Sequence, residues 1–191
     1  MRSKLAVCLW KHSQKGWQYS CWMIAIIRIG AGNIKHLQEI FAVQATDLLK
    51  KDHEAVKKLF SEFEKLGDTS HKQRSSLAEQ ICEELRVHAA IEEEIFYPAV
   101  KAVRDKGAKF DVEEALQEHK QIKAAIEDIM KINGAEPAFG AKMKVLKEDV
   151  LHHAEEEEKE IFKEARKLGS GRLEELGEEL QGKKERLKAA A

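Results

Sequence analysis

A chain of 191 residues with 35% charged and only 6% aromatic side chains favours helices over sheet, and is long enough for one domain with an appendage. Its formal net charge of -1 gives no global attraction to nucleic acid or to an anionic membrane. Three cysteines in no framework pattern (Cys8, Cys21, Cys82) fit a reducing cytoplasm better than secretion.

Residues 1–44 differ in composition from the rest and hold all three tryptophans, Trp10, Trp17 and Trp22. The runs "LAVCLW" and "WMIAIIRIGAG" are too short for a signal-peptide core or a bilayer span, and charged residues or glycines break them. This segment reads as an N-terminal extension outside the main fold. From about Ala45 the apolar spacing becomes helical. A first helix carries Leu49, His53, Val56, Phe60 and Phe63 on one face, and Gly67 stops it. A second carries Leu77, Ile81, Leu85, His88, Glu92, Phe96 and Val103 and ends near Gly107, with a kink expected at Pro98. A third begins near Asp111, carries Ala115, His119, Ile122, Ile126 and Ile129, and ends at Gly134. The fourth carries Leu146, Val150, His153, Glu157, Ile161 and Leu168, and ends at Gly169. Short connections between long amphipathic helices predict an all-α protein, an up-down-up-down four-helix bundle over residues 45–169. Residues 170–191 form a charged tail, with a short C-terminal helix expected over Leu173–Leu187.

An internal repeat runs through these helices. His53, Val56, Phe60 and Phe63 match His119, Ile122, Ile126 and Ile129 at an offset of 66. Leu85, His88, Glu92 and Phe96 match Val150, His153, Glu157 and Ile161 at an offset of 65. Each half reads His, a long interval, then His-x-x-x-Glu, always on an apolar face. A carboxylate buried without a partner is costly, so something should compensate it. Residues four apart on a helix share a face, about 6 Å apart along the axis. Two such helices and two single histidines converge four imidazoles and two carboxylates on one point, a candidate dimetal site. Mixed imidazole and carboxylate donors suit iron, manganese or zinc, and six protein ligands for two ions leave positions open for a small molecule. The alternative is a plain bundle with paired buried His and Glu. His152 is rotated about 100° off the stripe that selects His153. His12, His36 and His71 fall outside the pattern. Glu93, Glu94, Glu155, Glu156 and Glu158 read as solvated acidic faces, Tyr97 as packing, and Cys82 as a small core residue.

The segments "KKDHEAVKKLF", "VHAAIEEEIFYP", "QEHKQI" and "LHHAEEEEKEIF" resemble the hemerythrin-like proteins with the HHE cation-binding domain, over roughly residues 45–168. The resemblance implies an antiparallel four-helix bundle around two non-haem, carboxylate-bridged iron ions. It makes His53, His88, His119 and His153 iron ligands, and Glu92 and Glu157 the bridging carboxylates. This set of four histidines and two glutamates resembles the bacterial repair-of-iron-centres branch more than the oxygen carriers, which use five histidines, a Glu and an Asp. Two function classes follow. One is a module that binds or senses O2 or NO. The other is a diiron enzyme or iron donor acting on peroxide or NO, or in the repair of iron-sulfur centres. No partner protein is readable from the sequence.

Overall fold

Residues 43–67, 69–103 and 106–190 are described by a computed structural model, and residues 42–191 make one compact unit. Nearly all of the expected N-terminal extension, with His12 and His36, lies outside the described residues. The backbone enters extended at Gln44, whose carbonyl accepts the N–H groups of Asp47 and Leu48, and α1 runs Ala45–Glu64. Helix α2 (His71–Ile91) passes through a π-helical turn, Glu92–Phe96, directly into α3 (Tyr97–Lys101). Helix α4 is Lys106–Ile129. Helix α5 (Pro137–Glu156) starts on a proline, whose missing N–H costs nothing in a first turn. A second π turn, Glu157–Ile161, leads into α6 (Phe162–Ala165), a 3-10 turn (Arg166–Leu168) and α7 (Ser170–Ala190). The described residues are all-α, a helical bundle with a fifth long helix laid against it.

Three details differ from the sequence expectation. The interruption near Pro98 is a π turn that ends before the proline, and the same turn recurs at Glu157–Ile161, where no proline stands nearby. Proline is therefore not its cause. A π turn inserts one residue into the helical register, which brings Tyr97 and Phe162 inward beside Phe96 and Ile161; all four are buried. The third long helix starts at Lys106 rather than Asp111, with Gly107 in its first turn and buried Ala108 drawing that turn onto the core. The C-terminal helix is 21 residues long rather than short.

That helix is integral to the packing. Leu173, Leu176 and Leu180 join Leu48, Leu49, Phe96, Tyr97, Val112 and Phe162 in one apolar cluster. Gly177 makes this approach possible, because a Cβ there would lie 1.9 Å from the Val43 carbonyl oxygen. Gly169, at φ +83, takes a positive-φ extended conformation that glycine allows, ending the fourth bundle helix and releasing the chain into α7. A second cluster, Val56, Phe60, Ile81, Leu85, Ile126, Met143, Leu146 and their neighbours, fills the other end of the bundle. Cys82 belongs to it, and burial pushes its thiol up to about 11, so it is a core residue. Between the two clusters lies a polar layer. Among the described residues no helix is long and apolar enough to cross a membrane.

Candidate metal centre

The six repeat residues enter that layer from four helical segments. His53 comes from α1, His88 from α2, His119 from α4 and His153 from α5, while Glu92 and Glu157 are the first residues of the two π turns. Glu92 and Glu157 are 0% and 1% exposed. The Nε2 atoms of His53 and His88 face each other at 3.0 Å, and so do those of His119 and His153. Glu92 lies between the pairs, its Oε1 3.0 Å from His88 Nε2 and its Oε2 3.4 Å from His119 Nε2. Glu157 Oε2 is 3.2 Å from His53 Nε2. Two groups of donor atoms result, His53–His88–Glu92–Glu157 and Glu92–His119–His153, each within 4.8 Å across, with Glu92 common to both. His152 stays outside on the surface against Glu156, at 3.5 Å, and His71 is exposed at the start of α2.

Four carboxylates that the sequence reading placed elsewhere or passed over back the four imidazoles. Nδ1 of His119 meets Glu93 Oε1 at 2.8 Å, Nδ1 of His153 meets Glu118 Oε2 at 2.7 Å, and Nδ1 of His53 meets Glu158 Oε1 at 3.0 Å. Asp52 Oδ2 stands 3.6 Å from Nδ1 of His88. Glu93 and Glu158 are therefore not simply solvated faces. A carboxylate at Nδ1 fixes the tautomer with the proton there and leaves the Nε2 lone pair free, the arrangement that suits an imidazole for a metal ion. The signal was in the repeat, since Asp52 and Glu118 are 66 apart and Glu93 and Glu158 are 65 apart.

The donors fit a cation on a second ground. All four carboxylate oxygens of Glu92 and Glu157 are buried, and among the described residues none makes a well-aligned hydrogen bond; three of them only approach imidazole Nε2 atoms, at 3.0–3.4 Å. Buried polar atoms are rarely left this way, and neutralisation by a coordinated cation is a physical reason for it. Without metal the charge balance falls to the imidazoles. Burial pulls His88 down, but Glu92, Asp52 and Glu157 outweigh it and hold the imidazole up at about 10. His53 and His119 are raised by the same opposition of burial and facing carboxylates. Burial pushes Glu92 up, but His88 and His119 leave it well below the usual carboxylate range. At the His88–Glu92 contact the metal-free layer thus pairs a buried imidazolium with a carboxylate.

A cavity of about 370 Å³ adjoins the layer. Its wall includes Val56, Leu85, Ile122 and Val150, one turn from each histidine, and it reaches exposed residues Glu54 and Lys57 of α1 and Glu155 of α5. On the opposite side the π turns place two aromatic rings against the imidazoles. Phe162 stacks on His53 with ring centres 6.1 Å apart, and Tyr97 lies 5.5 Å from His119. The Tyr97 hydroxyl is 3.3 Å from His119 Nε2, so this residue contributes a polar group at the layer besides packing.

A profile of the hemerythrin HHE cation-binding domain matches residues 44–165. The chain belongs to this family. Among solved structures, this hemerythrin-like chain is similar to the crystal structure of a hemerythrin HHE cation-binding domain-containing protein from Mycobacterium kansasii. The TM-score is 0.68 at 25% identity, covering 78% of this chain and 89% of that one. Among curated proteins it is 30% identical over 142 residues to a DNA nickase of Nostoc sp. (strain PCC 7120 / SAG 25.82 / UTEX 2576). That match takes in 74% of the hemerythrin-like chain but only 39% of the nickase.

Proposed function

We propose that this hemerythrin-like protein holds two non-haem iron ions, for which His53, His88, His119, His153, Glu92 and Glu157 would supply the ligands, and that it binds a small oxidant or radical ligand, O2, NO or peroxide. The observation that carries the reading is the convergence of four Nε2 atoms, each imidazole backed at Nδ1 by a carboxylate, on the buried carboxylates of Glu92 and Glu157. A bound iron pair would supply reversible one- or two-electron exchange with such a ligand. The chain does the rest. The outer carboxylates hold the imidazoles in one tautomer. Phe162 and the first apolar cluster exclude water from one side, and the cavity beside Val56 and Val150 admits a small ligand from the other. The Tyr97 hydroxyl stands ready to hold a proton at the layer, because burial and the nearby glutamates raise it well above the usual phenol range and keep it neutral. We place the protein in the cytoplasm, in oxidative or nitrosative stress handling.

The test is anaerobic reconstitution with Fe(II), followed by optical spectra on adding O2, NO or peroxide. A ligand-dependent absorption change in wild type that His88→Ala abolishes supports the reading; a spectrum indifferent to all three sinks it. A turnover assay with peroxide or NO then separates an enzyme from a binding module. A second reading rests on the Nostoc relative, whose name would assign the centre to phosphodiester cleavage. Incubation of the metal-loaded protein with supercoiled plasmid decides it, since only nicked circles that disappear in His88→Ala would favour that reading.

A further inference from the structure

The centre has a second approach, smaller than the first cavity and richer in carboxylates. A pocket of about 140 Å³ between α4 and α5 is lined by Asp111, Glu114 and Glu118 on one side and Glu156 and Glu160 on the other. Its inner wall is formed by His153 and Glu157, two of the six repeat residues. Glu157 is 1% exposed and its Oε2 lies 3.2 Å from His53 Nε2, but neither oxygen makes a well-aligned hydrogen bond among the described residues, so the pocket ends on a buried carboxylate. The one cation among its lining residues is Lys159, which pairs with Glu160 at 3.2 Å.

Beside this pocket sit Glu118, His152 and Glu156, whose donor atoms lie within 4.8 Å of one another. Glu118 joins this group to the centre, because its Oε2 is also 2.7 Å from His153 Nδ1. The side chains of His152 and Glu156 are 66% and 48% exposed. Donors so well hydrated hold a cation weakly, which suits a stop on a path rather than a permanent site.

We propose that this acidic pocket is the route by which divalent cations reach the centre, with Glu118, His152 and Glu156 as a transit site beside it. The proposal rests on the reading of the centre as a metal site. A hydrated dication is attracted by five carboxylates set in a concave, partly low-dielectric wall, and such focusing raises association rates. The larger cavity is more mixed, with the apolar Val56, Leu85, Ile122 and Val150 beside Lys57 and the carboxylates of Asp52, Glu54, Glu155 and Glu158, so the pocket is the more uniformly negative of the two approaches.

The experiment follows Co(II) uptake by the metal-free full chain in stopped flow, through the absorbance of the bound ion, with final stoichiometry measured by elemental analysis. The variant Glu114→Gln with Glu156→Gln and Glu160→Gln should reach the wild-type stoichiometry but load roughly ten-fold or more slowly, with a flatter dependence on salt. A charge-matched control, Glu62→Gln with Glu79→Gln and Glu127→Gln, removes three exposed carboxylates beside the second apolar cluster and should load at the wild-type rate. His152→Ala should slow loading less than the triple variant and bind as much metal as wild type. An unchanged rate in the pocket variant, or equal slowing in the control, overturns the route while leaving the metal centre intact. Loss of a bound ion in His152→Ala overturns the transit site. Failure of wild type to bind any Co(II) would remove both the route and the metal reading beneath it.

Discussion

His88 in the first half of the repeat and His153 in the second are counterparts, each backed at Nδ1 by a carboxylate, yet their surroundings differ. Behind His88, Asp52 is tied to Lys184 of α7, and the same helix fastens Lys183 to Glu94 at 2.7 Å and Lys188 to Glu84 at 2.6 Å. Behind His153, Glu118 lines the acidic pocket instead, and among the described residues no lysine is hydrogen-bonded or salt-bridged to it. One half-site is closed by an element outside the repeat; the other is left against a negatively charged approach. A symmetric donor set can thus combine rigidity on one flank with exchange on the other.

The largest effect should come from the two buried carboxylates of the centre, one of which, Glu92, is common to both donor groups. Glu92→Leu with Glu157→Leu should abolish metal binding at both, and the metal-free variant should melt at or above the metal-free wild type, because apolar packing replaces a buried polar cluster. Chelation of wild type should lower its Tm by about 5–10 °C, given a ligand near 100-fold above its dissociation constant and a chain of this size. If chelation leaves the Tm unchanged and the double variant melts far below the metal-free wild type, the carboxylates serve a structural network. Next in size is the loss of one outer carboxylate: Glu118→Gln should weaken metal affinity by about 10–100-fold. Lys184→Met, one residue farther out, should weaken it by less than about ten-fold, with Lys184→Arg restoring it. Equal effects of Glu118→Gln and Lys184→Met in competition titrations would erase the difference between the flanks.

The smallest effect concerns protons. His88 is held at about 10 in the folded, metal-free protein, above its ordinary 6.5. Its contribution to metal-free stability is therefore present in full below 6.5 and is lost as pH rises through about 10. The metal-free Tm should fall between pH 7 and pH 10, and metal loading at pH 7 should release at least the His88 proton. A pH-independent Tm, or loading without proton release in weakly buffered dye solution, would contradict this.

The centre was legible because the chain states it twice. His88 alone on an apolar stripe would read as a core histidine, but His153, Glu92 and Glu157 in register turn coincidence into pattern. The outer carboxylates obey the same offsets, yet they sit in acidic runs whose spacing also fits a solvated helix face, and only packing shows that Glu93 and Glu158 turn inward. The π turns left no local mark. They change which of Phe96 and Tyr97 meets the core by adding both, and a helical reading assigns only the first. The weight of α7 was hidden for a related reason. Its apolar stripe, Leu173, Leu176 and Leu180, is short amid 21 largely charged residues, and its close seat depends on Gly177 meeting Val43, a contact between distant parts of the chain.

The most direct test of the dinuclear assignment is the metal content of protein purified anaerobically and reconstituted with Fe(II), measured per chain by elemental analysis in wild type, His88→Ala, His153→Ala and His71→Ala. The account predicts two iron ions in wild type and in His71→Ala, and loss of most iron in each of the other two. Equal iron in all four proteins, or none in wild type, would contradict it.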